Sequence, residues 1–188
     1  MLRHLPNLIT ALRILLVVPL CWLIARGRYG EALLVAAAAG ASDAVDGFLA
    51  KHFNWQSWIG GMLDPVADKL LLTAAFVSLT LVGELPMWLT ALIVGRDLVI
   101  VAGAVAYHAL VGRFDAAPST LSKLTTGVQI VFVLAELLRL SQWLQLPDGL
   151  RIAFIALTAG VTLASGLHYV VVWSARARRA RARNRGTP

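Results

Sequence analysis

The chain has 188 residues, of which 59% are hydrophobic, and its mean hydropathy is +0.74. These values exclude an ordinary soluble domain and indicate a membrane protein. The formal net charge of +7 comes mostly from six arginines between residues 176 and 185, a density that predicts attraction to anionic lipid. A single cysteine excludes an internal disulfide bond.

Windows of about 20 apolar residues predict an all-α, multi-pass membrane protein. The six expected transmembrane helices are 5–26, 31–50, 59–82, 87–109, 119–140 and 149–173. We expect a membrane domain over residues 1–175 and a basic, disordered tail over residues 176–188. The arginines of the tail predict that it lies in the cytoplasm, and an even number of spans then places both termini there.

The first span contains a cation, Arg13, which needs a partner inside an apolar helix. Two interpretations stay open from the residues alone. The side chain could extend to the lipid headgroups, as long cationic side chains commonly do. Alternatively, it could face a polar cavity within the protein and bind an anion there.

The next two spans each contain a pair of aspartates. On a helix that advances by about 100° per residue, one arc of about 100° in the second span contains four of its residues: Asp43, Asp46, Gly47 and Ala50. In the third span an arc of about 80° contains Gly60, Asp64 and Asp68. Ionisable residues inside membrane spans are costly and usually functional. We therefore predict that both helices contribute to one polar site.

A short polar turn separates these two spans, which predicts antiparallel neighbours with all four carboxylates at one depth. This depth corresponds to the cytoplasmic side of the membrane, where the aspartates would line a polar cavity. Carboxylates placed together there would repel one another and lose hydration, unless a hard divalent cation bound them through oxygen. We therefore expect Mg²⁺, with Mn²⁺ or Ca²⁺ as substitutes.

The same residues resemble the signature of the CDP-alcohol phosphatidyltransferase family, DxxDGxxARx8GxxxDxxxD. All of its spacings occur here, in Asp43-x2-Asp46-Gly47-x2-Ala50-Lys51-x8-Gly60-x3-Asp64-x3-Asp68. One position departs from the signature, because Lys51 replaces the usual arginine and lacks its planar bidentate fork. The resemblance implies a protein of the bacterial inner (plasma) membrane, and it also implies a homodimer.

The resemblance further implies an activity, which is transfer of a phosphatidyl group from CDP-diacylglycerol to an alcohol, with release of CMP. It assigns the metal to Asp43, Asp46, Asp64 and Asp68. It assigns binding of the CDP group to Asp46, Gly47, Ala50, Lys51 and Gly60, where small residues would let the nucleotide approach the backbone. Asp68 is expected to be the general base that accepts the proton of the acceptor hydroxyl.

Several cations are candidates for binding the acceptor or its phosphate: Arg13, Arg96, Arg113 and Lys123. The run Asn7-x2-Thr10-x2-Arg13 is similar to the start of many bacterial family members, which favours the cavity for Arg13. Arg96 and Asp97 resemble the GRE or GRD run of the family's glycerophospholipid branch. The alternative for this pair is mutual neutralisation or extension to the membrane interface.

The acceptor prediction rests on the run Lys123-Leu124-Thr125-Thr126. Family members that use glycerol-3-phosphate commonly have Lys-x-Lys-Thr, with a second cation for a dianionic phosphate. The run here resembles the cardiolipin synthase branch, which implies the singly charged phosphatidylglycerol as acceptor. The alternative acceptor is glycerol-3-phosphate, as in phosphatidylglycerophosphate synthases.

Other classes of function agree less well with the sequence. An ion- or proton-coupled transporter would also hold carboxylates in its membrane spans, but here they cluster near one face and do not line a full crossing. A non-catalytic membrane scaffold would not need four aspartates, whose placement inside membrane spans is energetically costly. The basic tail lacks aromatic residues and a folded module, so we expect no nucleic-acid partner.

Overall fold

A computed structural model describes the backbone of residues 5–53, 58–111 and 120–185, and the side chains of residues 11–42, 67, 69–103 and 120–172. The described backbone forms six helices and no strand. The helices are α1 (Leu5–Ala25), α2 (Tyr29–Phe53), α3 (Trp58–Leu81), α4 (Met87–Val111), α5 (Thr120–Leu140) and α6 (Asp148–Arg185). The predicted all-α class is confirmed.

Two of these helices contain a segment long and apolar enough to cross a membrane, judged over the described residues. The segments are Thr120–Leu140 in α5 and Asp148–Val172 in α6. Shorter apolar stretches occupy Ala11–Ala25 in α1 and Lys69–Leu81 in α3. The six helices thus match the predicted elements, whereas six membrane crossings and an aspartate-lined cavity stay predictions.

The last helix is longer than the sequence predicted. α6 continues without a break to Arg185, so the expectation of a disordered tail does not hold for residues 176–185. The reason is compositional, because this segment consists mainly of alanine and arginine, which have high intrinsic helix propensity. A membrane domain that ends at residue 175 stays a prediction.

The chain divides into two compact units. The first comprises Met1–Thr90 and Ile130–Asp148, and the second comprises Ala91–Gln129 and Gly149–Pro188. In the first unit α1 packs against both α2 and α3. Its interior includes Phe76 and Phe132, whose rings stack with their centroids 5.9 Å apart. Both rings are buried, so this contact joins α3 to the second half of α5.

Two glycines in the first unit allow tight connections between helices. Gly27 has a φ angle of 69° and Gly83 has a φ angle of 83°, in the left-handed region that glycine adopts without steric cost. Gly27 follows the end of α1, and Gly83 follows the end of α3. Left-handed glycines commonly end helices in this way. The chain can therefore turn from α1 to α2, and from α3 to α4, within a few residues.

An ion-pair cluster joins the turn after α3 to α5 within the first unit. The Arg139 Nη2 atom donates hydrogen bonds to Glu84 Oε2 at 3.0 Å and to Glu136 Oε1 at 2.8 Å. The Glu136 side chain is only 2% exposed. A carboxylate in this setting needs a paired cation, because burial alone would disfavour its charge. Arg139 supplies that cation from one turn further along α5.

The stacked phenylalanines generate a stability prediction. Phe132→Ala should lower the free energy of unfolding by about 3–5 kcal/mol, because it opens a cavity against Phe76. Thermal unfolding of the purified protein in detergent would measure the change. The matched control is Val131→Ala on the same helix, which truncates a side chain that is 55% exposed and should change stability little. Equal losses in the two variants would contradict the assigned packing.

Candidate active site

The structure places the predicted aspartates on two helices of the first unit. Asp43 and Asp46 lie on α2, and Asp64 and Asp68 lie on α3. Both segments are helical, so the spacings of three and four residues keep each pair on one side of its helix. Both helices pack against α1. The side chains of all four aspartates lie outside the described residues, so their meeting at one site stays a prediction.

Buried neighbours indicate which face of α2 carries its aspartates. Ala32 and Ala39 are both fully buried and lie seven residues apart. Steps of four and seven residues from Ala39 lead to Asp43 and Asp46, and such steps return to nearly the same side of a helix. The two aspartate positions therefore continue the helix face that is buried nearer the start of α2.

The same relation holds on α3. Ala67, between the two aspartates, is fully buried, and Ala75 is 2% exposed. Asp68 lies seven residues before Ala75, and Asp64 lies three residues before Ala67, so these positions share one side of the helix. The aspartate positions of α3 thus also continue its buried face. This register supports an inward-facing site.

The residues predicted to bind the CDP group also fall on these two helices. Gly47, Ala50 and Lys51 follow Asp46 on α2, and Gly60 lies in the first turn of α3. The structure describes the backbone of these four residues and not their side chains or surroundings. Contact between these residues and a nucleotide stays a prediction.

Arg13 is buried within the protein. It is 1% exposed and is the largest fully buried side chain among those that the structure describes. A side chain that extends to the lipid headgroups would be exposed, so that interpretation does not hold. Burial agrees with the alternative, in which the guanidinium faces the interior of the first unit. Binding of an acceptor by Arg13 stays a prediction.

Arg96 is engaged by side chains of the second unit. Its Nη1 atom donates to Asp97 Oδ1 at 2.8 Å, which confirms the neutralising pair that the sequence suggested as one alternative. Its Nη2 atom donates to Ser122 Oγ on α5 at 2.8 Å and to Ser165 Oγ on α6 at 2.5 Å. Its Nε atom also donates to Ser165 Oγ, at 3.2 Å. The Arg96 side chain is only 2% exposed.

Sequence reasoning missed both serines as partners of Arg96. The available signal was their polarity within apolar helices, since a buried cation in such a helix needs oxygen acceptors. The sequence could not say which hydroxyls would reach it, because Ser165 lies 69 residues further along the chain. Helix packing decides this choice.

The two remaining cationic candidates are Lys123, which the structure describes, and Arg113, which it does not. Lys123 is exposed and follows Ser122 in the first turn of α5. Arg113 lies outside the described residues, between α4 and α5. An exposed cation can receive an anion without breaking internal contacts. Of the cations described in the second unit, Lys123 therefore agrees better with acceptor binding than Arg96 does.

Further hydrogen bonds join α5 to α6, later along α5 than Ser122. Gln129 Nε2 donates to Thr162 Oγ1 at 3.0 Å, and Thr125 Oγ1 lies 3.3 Å from the Val161 carbonyl oxygen. Gln129, Thr125 and Thr162 are all buried. Such bonds between helices satisfy polar groups that lipid cannot. They stabilise the packing of these two helices, and none of these three side chains is exposed to a ligand.

The chemistry of the donor set fits a divalent cation. Within the described side chains, no group of three or more His, Cys, Asp or Glu residues could hold a metal ion. The four aspartates lie outside that set. Four carboxylates offer only oxygen ligands and a large negative charge, which suits a hard ion such as Mg²⁺ or Mn²⁺.

Several known proteins are similar to this chain in sequence. The chain is 36% identical over 148 residues to the cardiolipin synthase (CMP-forming) of Rattus norvegicus, covering 70% of this chain and 49% of that protein. It is 35% identical over 179 residues to the CDP-diacylglycerol–glycerol-3-phosphate 3-phosphatidyltransferase of Pseudomonas fluorescens, covering 89% and 88%. A probable phosphatidylglycerophosphate synthase of Mycobacterium tuberculosis is 32% identical over 176 residues, covering 90% and 81%.

These relatives carry three different names. The chain spans about half the length of the rat and human cardiolipin synthases that it matches. The CDP-alcohol phosphatidyltransferase family matches residues 3–175, a range that contains all four aspartates and their spacing on α2 and α3. The chain belongs to the CDP-alcohol phosphatidyltransferase family.

Proposed function

We propose that the protein transfers a phosphatidyl group from CDP-diacylglycerol to an alcohol acceptor, with release of CMP. The observation that carries the proposal is the family signature on α2 and α3, two helices that pack against α1 and whose buried faces continue, by helical register, to the aspartate positions. The family match over residues 3–175 and the names of the relatives agree with it.

The reaction exchanges one phosphorus–oxygen bond for another. The hydroxyl oxygen of the acceptor attacks the phosphorus atom that bears diacylglycerol. The bond from that phosphorus to the bridging oxygen of the pyrophosphate breaks, and CMP leaves with this oxygen. Asp68 accepts the proton of the attacking hydroxyl, so it acts as the general base.

Four carboxylates would hold the metal: Asp43, Asp46, Asp64 and Asp68. Bound there, Mg²⁺ or Mn²⁺ would supply positive charge to the pyrophosphate and to the charge that develops as CMP leaves. The CDP group would contact Asp46, Gly47, Ala50, Lys51 and Gly60. The small residues among these leave the helix backbone open to approach, and Lys51 offers a cation to the phosphates.

The acceptor that we favour is phosphatidylglycerol, which would make the product cardiolipin. The run from Lys123 to Thr126 contains one cation where glycerol-3-phosphate users commonly have two, so it suits a singly charged phosphodiester. Relatives named as cardiolipin synthases support this choice, while those named for glycerol-3-phosphate keep the alternative open. Arg13, Arg113 and Lys123 are the cations assigned to the acceptor. Arg96 is not among them, because its side chain is buried and paired with Asp97.

The protein would act at the cytoplasmic side of the bacterial inner membrane, as a multi-pass protein with both termini in the cytoplasm. There a water-soluble product such as CMP can leave, while lipid substrates arrive from the bilayer. The arginines of residues 176–185 would attract anionic lipid, which includes phosphatidylglycerol itself. Two chains would associate as a homodimer, as the family resemblance implies.

The acceptor can be tested directly with purified protein, CDP-diacylglycerol and Mg²⁺. We expect CMP release with phosphatidylglycerol and much slower release with glycerol-3-phosphate, because the acceptor site lacks the second lysine. CMP and the lipid product would both be measured by mass spectrometry. Release with glycerol-3-phosphate alone would reverse the acceptor assignment. Release with neither acceptor would remove both assignments.

Substitution of the aspartates tests the metal site. Asp43→Asn, Asp64→Asn and Asp68→Asn should each reduce CMP release by at least about 100-fold, since an amide fills the same space but cannot balance a divalent cation. The control is Asp148→Asn, which changes an exposed aspartate at the start of α6 and should keep full activity. Turnover close to that of the unmodified protein in any of the three would remove that residue from the mechanism.

The departure at position 51 generates a separate prediction. Lys51→Arg should be tolerated, because it restores the family's usual residue, whereas Lys51→Ala should raise the KM for CDP-diacylglycerol by removing a cation from its phosphates. Steady-state kinetics over a range of CDP-diacylglycerol would measure both. Arg26→Ala, which removes an exposed cation after α1, is the charge-matched control. An unchanged KM in Lys51→Ala would leave Lys51 without a role in binding.

A further inference from the structure

Arg96 joins three helices through one guanidinium group. It lies on α4, and its four hydrogen bonds reach Asp97 on the same helix, Ser122 on α5 and Ser165 on α6. All of these residues belong to the second unit. Each of its three nitrogen atoms donates at least one bond. The planar fork of arginine can reach all of these acceptors together, whereas a lysine ammonium group could not.

The arginine side chain is held along its stem as well as at its head. Gly166 follows Ser165 on α6, and a β-carbon built on Gly166 would lie 3.5 Å from Arg96 Cγ, at ordinary van der Waals distance. The stem therefore lies close to the backbone of α6. A buried charge that loses one partner leaves a donor unsatisfied, which is costly. Arg96 is therefore fixed in one position by packing and by hydrogen bonds.

Arg96 contacts α5 near the start of that helix, through Ser122. Ser122 lies in the first turn of α5, which begins at Thr120. The end of a helix opens more readily than its middle, because its backbone groups lack some of their hydrogen-bond partners within the helix. Arg96 donates to the Ser122 hydroxyl and so ties this turn to α4 and α6. Lys123 is the next residue and is exposed, so its backbone position depends on this tie.

We infer that Arg96 is a positioning residue, which holds the first turn of α5 so that Lys123 is fixed for the phosphate of the acceptor. This inference rests on the proposed function, in which Lys123 binds that phosphate. Arg96 does not bind the phosphate itself, because its head is buried and its charge is balanced by Asp97. Lys123 then meets the acceptor with a single charge, which suits a phosphodiester.

Removal of one serine hydroxyl tests the inference without removing the arginine. Ser122→Ala and Ser165→Ala should each raise the KM for the acceptor about five- to tenfold, which lies within the net effect of losing a typical hydrogen bond. The KM for CDP-diacylglycerol and the kcat should stay within about twofold. Ser165→Thr keeps the hydroxyl and should restore the acceptor KM.

The matched control is Thr158→Val on α6. Thr158 is fully buried, and its hydroxyl has no hydrogen-bond partner among the described residues, so valine replaces it with nearly the same shape. The control should leave the acceptor KM unchanged. An equal rise in Thr158→Val would show that any change in α6 packing has this effect and would overturn the assignment. A fall in acceptor KM in either serine variant would show that a released Arg96 binds the phosphate, which would also overturn it.

Hydrogen exchange separates this inference from the proposed function. Amide protons of residues 124–127 donate to carbonyl groups of the first turn of α5, and their exchange reports how firmly that turn is held. We expect several-fold faster exchange in Ser122→Ala and Ser165→Ala than in the unmodified protein, and no change in Thr158→Val. Unchanged exchange in both serine variants overturns the inference, whatever the activity. Absence of CMP release from the unmodified protein would instead overturn the proposed function.

Discussion

A charge inside an apolar helix must be satisfied by the protein or by a bound ion, because lipid offers no hydrogen-bond partner. This constraint accounts for the polar contacts of the structure. Arg139 on α5 neutralises the buried Glu136 and reaches Glu84. Arg96 on α4 is satisfied by Asp97 and by serines of two other helices. For the aspartates of α2 and α3, the same constraint predicts a bound cation.

The two units contain different candidate groups of the proposed chemistry. The first unit carries the aspartate positions on α2 and α3, each continuing a helix face that is buried elsewhere along its length. It therefore contains the candidate groups for the metal, the nucleotide and the proton. The second unit contains Arg96 and Lys123, of which one is buried in internal hydrogen bonds and the other is exposed. Burial thus distinguishes a positioning role from a binding role, although both residues are cations.

The sequence predicted the helices and the spacing of the aspartates well, because both depend on local periodicity. It also offered the Arg96–Asp97 pair, since the two residues are adjacent in the chain. It could not identify Ser165, whose contact with Arg96 depends on how α6 packs. It did not single out Glu136, whose burial depends on tertiary packing. The helical tail was missed because clustered charge suggests disorder, whereas alanine and arginine favour a helix.

The choice of acceptor depends on few residues, which explains why family resemblance alone leaves it open. In the proposed reaction the aspartates and the glycines bind the common donor, CDP-diacylglycerol, so they would be the same whichever alcohol is used. Only the cations near the acceptor distinguish one phosphate charge from another. The charge of Arg96 is balanced by Asp97. Among the described residues of the run from Lys123 to Thr126, Lys123 is then the one cation, which agrees with a singly charged acceptor.

The central claim is that the aspartates of α2 and α3 form one divalent-metal site, and direct metal binding tests it most closely. Electron paramagnetic resonance would follow Mn²⁺ titrated into the purified protein, and the signal of free Mn²⁺ would measure binding. We predict saturable binding in the unmodified protein and in Asp148→Asn, and strong loss of binding in both Asp43→Asn on α2 and Asp64→Asn on α3. Unchanged Mn²⁺ binding in either of these two variants would contradict a site shared between the helices.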